Sequence, residues 1–147
     1  MEKWLDVVGY EGVYSISSTG VLKSLANGAS KKEKILKTFV KHGYPAVKLC
    51  KEGVKKHYTI HRLVALHFIP NPQGYPYVNH KDENRANHSV ENLEWCTPAY
   101  NTAYSSYKKI KKTPEEKSKE TLLLRFKNFC HKYNLSKEDV IRLSDAL

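Results

Sequence analysis

The 147-residue chain is long enough for one ordinary domain, or for two small modules with a tail, and its 40% hydrophobic content allows a modest core under a large polar surface. No apolar stretch approaches the ~20 residues of a membrane span, the N-terminus lacks the apolar segment of a secretion signal, and three isolated cysteines without a C-x-x-C pair support neither a zinc knuckle nor a disulfide framework, so a soluble protein of a reducing compartment is expected. The net charge of +10 is uneven: residues 1–78 carry +7, residues 79–107 carry −2 and residues 108–147 carry +5, a pattern of two basic arms, suited to a phosphate backbone, around a slightly acidic centre, suited to a cation.

Residues 1–28 read as short strands broken by turns. Trp4, Val7 and Val8 precede Gly9-Tyr10-Glu11-Gly12, Tyr14 and Ile16 alternate with Ser15 and Ser17, and Ser18-Thr19-Gly20 turns the chain into a strand from Val21 to Leu25. Gly28 to Lys34 reads as a polar, lysine-rich loop. A hairpin follows, with Tyr44, Val47 and Leu49 on one strand, Val54, Tyr58 and Ile60 on the next, and its turn at Lys51-Glu52-Gly53. His61 to Phe68 predicts a short helix, stopped by Pro70 and Pro72. Beyond the Pro/Gly loop from Asn71 to Pro76, Val78 to His80 predicts a strand and Leu93 to Cys96 its antiparallel partner. The polar connection between them is long for a hairpin, and its Asp82, Asn84 and Asn87 suit Asx turns. Thr97-Pro98 is a helix start, with Thr as N-cap and Pro at the first helical position. Tyr100, Ala103, Tyr104 and Tyr107 then fall on one packing face. Lys108 to Lys112 reads as a basic linker. Thr113-Pro114-Glu115-Glu116 opens a second helix, reaching to about Tyr133, and Ser136-Lys137-Glu138-Asp139 opens a third; together they read as a helical hairpin.

The central stretch carries the chemistry. His80 sits in Val78-Asn79-His80-Lys81-Asp82, Asn92 follows it by twelve residues, and Asn101 comes nine residues later. Phosphodiester hydrolysis needs a base for the attacking water, a cation to neutralise the phosphate, and groups that orient both. Histidine titrates near neutrality and serves as the base. Carboxamide oxygens suit Mg2+ or Mn2+. A strand-loop-strand-helix unit puts His80 on the first strand and Asn92 at the start of the second, where it fixes either the loop or the imidazole. Asn101 falls near a helix N-terminus, which itself favours phosphate. Taken singly, each residue has an ordinary reading: a surface histidine, a loop cap, a solvated helix residue. Trp95, Tyr100, Tyr104 and Tyr107 read first as core. The combination is what points to a site.

The stretches His61-Arg62-Leu63-Val64-Ala65, Phe68-Ile69-Pro70-Asn71-Pro72, Val78-Asn79-His80-Lys81-Asp82 and Asn92-Leu93-Glu94-Trp95-Cys96-Thr97 resemble the HNH endonuclease family, and more closely its phage and intron-encoded homing branch. Trp4, Val7, Gly9-Tyr10-Glu11-Gly12, Tyr14, Ile16-Ser17, Gly20, Val21 and Lys23-Ser24 are similar to the nuclease-associated DNA-binding motif that often precedes HNH in that branch. The resemblance covers about residues 3–107. It implies an α+β fold with a small N-terminal β module (1–56) and a central ββα-metal unit (57–107); the basic linker and C-terminal helices (108–147), read from the residues alone, match no named module.

The same resemblance implies roles. His80 matches the general base, and Asn92 the middle asparagine that orients the base or the loop. Asn79 matches a metal ligand that is often Asp, and Asn101 the second protein ligand. One Mg2+ or Mn2+ ion is expected, and double-stranded DNA is the expected partner. Lys23, Lys31, Lys32, Lys37, Lys48, Arg62, Lys81, Arg85, Lys108 and Lys109 are expected to contact it. The reading is of a monomeric nuclease, nicking or cutting both strands, in the cytoplasm of a phage-infected bacterial host. Its rivals are a catalytically silent DNA-binding protein, favoured by the uncharged Asn79, and an RNA-binding protein using the tyrosine-rich surface.

Overall fold

The computed structural model describes residues 1–26, 32–111 and 119–145, and side chains outside 106–124 and 144–147. The chain is α+β, as expected. Its N-terminal strands β1 (Trp4–Asp6), β2 (Tyr14–Ser17), β3 (Leu22–Ser24) and β4 (Lys34–Ile35) form an antiparallel sheet in chain order. Short polar and apolar alternation explains it: Ile16 and Leu22 sit opposite each other and are buried. Lys34 pairs with Ser24 in β4, which corrects the reading of Gly28 to Lys34 as loop throughout. A two-residue strand is too short to carry a periodic signal.

The second sheet is a meander of β5 (Phe39–Lys41), β6 (Tyr44–Lys51) and β7 (Val54–Thr59), all antiparallel. The β6–β7 hairpin is the one expected, turning at Glu52-Gly53. Strand β5 was not foreseen. Its register, Phe39 with Ala46 and Lys41 with Tyr44, leaves only His42-Gly43 to turn. One face of this sheet supplies Val47 and Leu49 to the core. The other carries Phe39, Lys41, Tyr44, Lys48, Lys55 and His57, because residues opposite in register share a face.

Helix α1 (Ile60–Phe68) follows β7 directly and buries Ile60, His61, Leu63, Val64 and Ala65. It ends where Pro70 can no longer continue it. Strands β8 (Tyr77–His80) and β9 (Leu93–Cys96) pair in a sheet of their own, with a 3-10 turn at Val90–Asn92 between them. Val7, Ile16, Leu22, Val47, Leu49, Ile60, Leu63, Val64 and Leu93 form one core, so both larger sheets, α1 and the start of β9 are built around the same apolar centre.

By its contacts the chain divides into two compact units, one of residues 1–74 and 78–95, the other of residues 75–77 and 96–147. The first joins the N-terminal strands to the His80 hairpin. The second unit is helical. Helix α2 (Pro98–Lys111) is capped as expected, Thr97 Oγ1 accepting from the Tyr100 amide at 3.1 Å. Its Tyr100, Ala103 and Tyr104 pack with Phe129 of α3 (Lys119–Lys132) and Leu143 of α4 (Lys137–Asp145), with the Arg142 guanidinium 4.6 Å over the Tyr100 ring. Tyr107's side chain lies outside the described residues, as do Thr113 to Glu116. The run Lys108 to Lys111 is helix rather than linker. No Gly or Pro separates it from Tyr100, and lysine is a good helix former. A reciprocal cap starts α4: Ser136 Oγ accepts from the Asp139 amide, and Asp139 Oδ2 from the Ser136 amide.

Candidate active site

The β8–β9 connection is held by its own polar side chains. Asp82 Oδ1 accepts from the Asn84 amide at 2.8 Å, Asn84 Oδ1 from the Ala86 amide at 3.0 Å, and Asn87 Oδ1 from the Ser89 amide at 3.3 Å, three successive Asx turns. Asn92 ties the two ends. Its amide donates to Asp82 Oδ1 at 2.8 Å and to the Asn87 carbonyl at 3.0 Å, and its oxygen accepts from the Asp82 amide at 3.0 Å. Every one of these bonds goes to the loop, so this buried carboxamide fixes the loop rather than the imidazole. Burial alone would raise the Asp82 pKa, but hydrogen bonds from Asn87, Asn84 and Asn92 hold it below the usual carboxylate value.

On the strands themselves, Asn79 is buried and donates through Nδ2 to Glu94 Oε1 at 2.9 Å. His80 is 5% exposed, and its Nε2 is buried without a hydrogen-bond partner. The imidazole is enclosed by aromatic rings. Tyr44 of β6 lies stacked at 6.2 Å between centroids, His61 of α1 is tilted at 5.0 Å, and His88 of the loop meets it edge-on at 6.4 Å. Tyr44 and His61 are themselves 4.7 Å apart. Burial, then the neighbouring His88, lowers the His80 pKa against the opposing pull of Asp82. Burial pushes His61 down to about 3. The cluster is therefore neutral at physiological pH, and His80 presents an unprotonated nitrogen.

Two glycines make this enclosure possible. Gly20 has φ +88°, and a Cβ there would stand 2.7 Å from His88 Cβ and 3.0 Å from Ile60. The N-terminal sheet thus closes directly on the His88 loop, a contact repeated by the Val90 amide donating to the Ser18 carbonyl at 3.0 Å. At Gly43 a Cβ would meet the Arg85 guanidinium at 2.8 Å, and that guanidinium rests 4.5 Å over the Tyr44 ring.

The other expected site residues are spread out. Lys23 lies over the Trp4 ring and pairs with Glu33 at 3.0 Å. Lys32, Lys37, Lys48, Arg62, Lys81 and Arg85 are exposed, Lys81 donating to the Glu91 carbonyl at 2.9 Å. Asn101 is half-buried on the first turn of α2, in the second unit. Lys31 and the side chains of Lys108 and Lys109 lie outside the described residues.

Residues 2–50 match the family model of the NUMOD4 motif. The uncharacterized HNH endonuclease L245 of Acanthamoeba polyphaga mimivirus is 52% identical over 59 residues, 40% of this chain and 18% of that protein. DNA endonuclease I-HmuI of Bacillus phage SP01 is 39% identical over 99 residues, 67% of this chain and 55% of that protein. A solved structure of I-HmuI, described as "DNA binding and cleavage by the HNH homing endonuclease I-HmuI", matches at a TM-score of 0.59 and 33% identity, covering 86% of this chain and 68% of that one. The chain belongs to the HNH homing endonuclease family.

The chain spans little more than half the length of the phage SP01 relative it matches. Of the residues quoted for the resemblance, His61–Ala65 lie on α1, Asn79 and His80 on β8, Asn92 on the 3-10 turn and Leu93–Cys96 on β9. What sequence reasoning missed in this family member is the enclosure of His80. Tyr44, His61 and His88 come from a strand, a helix and a loop, and only the packing of the three brings their rings together. Also missed were Lys41 and Lys55, which share the outer sheet face with Lys48 and Tyr44. The period-two alternation through β6 and β7 carried that signal.

Proposed function

We propose that the protein is a metal-dependent endonuclease that hydrolyses phosphodiester bonds in double-stranded DNA. The observation that carries this is the state of His80: a neutral, ring-enclosed imidazole, next in the chain to a carboxamide whose oxygen accepts no hydrogen bond among the described residues. The His80 imidazole takes the proton of the attacking water. Tyr44 and His61 restrict its ring, and Asn92 keeps the following loop closed. A divalent cation, when bound, neutralises charge on the phosphate and the leaving oxygen. Asn79 Oδ1 is a hard oxygen and suits Mg2+ or Mn2+, and Asn101 is assigned as the second protein ligand. No group of three His, Cys, Asp or Glu side chains among the described residues is arranged for a metal, so a bound cation would draw on phosphate and water oxygens as well.

The outer face of the β5–β7 sheet, with Lys41, Lys48, Lys55 and His57, runs up to Tyr44 and so to the imidazole. That continuity supports a DNA track leading to the base, with Lys23, Lys32, Lys37, Arg62, Lys81 and Arg85 as further backbone contacts. We assign the protein as a monomer acting in the cytoplasm of a phage-infected bacterial host. No helix among the described residues is long and apolar enough to cross a membrane. Cleavage is of the homing type, on one strand or both.

The test is plasmid nicking with Mg2+ and with Mn2+. His80→Ala is expected to abolish cleavage while DNA binding persists. Undiminished cleavage by that variant would remove the mechanism. The uncharged Asn79 favours a second reading, a silent nuclease fold that binds DNA. Cleavage by Asn79→Asp where the parent shows none would select it.

A further inference from the structure

We propose that Glu94 is a positioning residue for the divalent cation, acting through Asn79, and that the two side chains together take the place of a ligating aspartate. The inference rests on the reading that residue 79 faces a cation.

Two difficulties attend a carboxamide at this position. Its oxygen carries no formal charge, and its two ends are interchangeable by a half-turn, so it can offer either an oxygen or an unsuitable NH2 to an ion. Glu94 answers both. Asn79 Nδ2 donates to Glu94 Oε1 at 2.9 Å, across the β8–β9 pair. Turned over, the amide would set its own oxygen against a carboxylate oxygen, so the pairing selects the one orientation that leaves Oδ1 for a ligand. Among the described residues that oxygen accepts no hydrogen bond. Asn79 is 7% exposed and the hydrogen bond is part-buried, so it is screened less than one at the surface and the carboxylate polarises its partner more. Electron density drawn toward Oδ1 makes it a better donor to a hard cation. The carboxylate also sets a full negative charge one amide group behind the ligand atom.

The experiment titrates Mn2+ into the full chain and follows free Mn2+ by its electron paramagnetic resonance signal, with thermal melts as the folding control. Glu94→Gln keeps the size and removes the charge, and its Mn2+ binding is expected to weaken by about tenfold to a hundredfold, the range for loss of an outer-shell partner. Asn79→Asp with Glu94→Gln reverses the pair, a carboxylate now accepting from an amide, and is expected to restore binding. Glu94→Gln binding Mn2+ as tightly as the parent would overturn the proposal. So would a folded reversed pair that fails to recover. A parent that binds no Mn2+ would instead overturn the cation reading at residue 79, and this inference with it. Plasmid nicking by the parent, which the positioning role leaves intact, separates the two failures.

Discussion

At the scale of single residues the protein is governed by neutral histidines. A base works only when unprotonated, and the His80 pKa is lowered from 6.5, chiefly by burial. With His80 as the base proposed above, the acid limb of cleavage is expected to lie below the ordinary histidine value of 6.5. A pH–rate profile checks this; an acid limb centred at or above 6.5 would contradict it. The stability of the fold has the opposite dependence from that of a paired histidine. His61 titrates at about 3 when folded and at 6.5 in the ordinary state. Between those values the unfolded chain binds a proton that the folded chain refuses, so stability is complete above 6.5 and is lost as pH falls toward 3. His61→Phe keeps a ring against Tyr44 and His80 but cannot titrate. Melts at neutral pH and at about pH 4.5 should show a smaller acid loss in the variant. His80, Asn79 and Asn92 were legible because they sit in a short linear pattern. His61, Tyr44 and His88 were not, since each has an ordinary local role and only tertiary packing joins them.

At the scale of elements, the best-read pieces are those whose ends are fixed by local chemistry. Thr97-Pro98 announces α2 through a cap that exists, and Leu93 to Cys96 is the observed strand. Thr97→Ala should cost about 1 kcal/mol by removing that cap. Leu49→Ala, in the core shared by sheet and helix, should cost about 2–5 kcal/mol, measured by denaturant unfolding. Strands β4 and β5 escaped notice because two or three residues cannot display alternation, and their pairing is decided by a neighbour. The continuation of α2 through Lys111 was hidden by its charge: a run of lysines resembles a linker in composition, although nothing in it breaks a helix.

At the scale of the whole molecule, the uneven charge sets how binding responds to salt. Each lysine that neutralises a phosphate releases counterions, so log affinity for duplex DNA should fall linearly with log salt. Lys48→Ala should make that slope shallower by about one and weaken all sequences alike, the mark of a backbone contact. A slope unchanged in Lys48→Ala would move the DNA track off the outer sheet face. The α+β class was legible from order and spacing. The division into compact units was not, because the N-terminal strands and the His80 hairpin share a core that only long-range contacts reveal.

Gly20 has a consequence for how such proteins can be recombined. With no room for even a methyl group between it and the histidine loop, the amino-terminal piece is not an interchangeable attachment. A chimera that swaps in a different leading module must bring a glycine at the same corner. Otherwise the misfit would be felt not at the splice but at the His88 ring that meets His80.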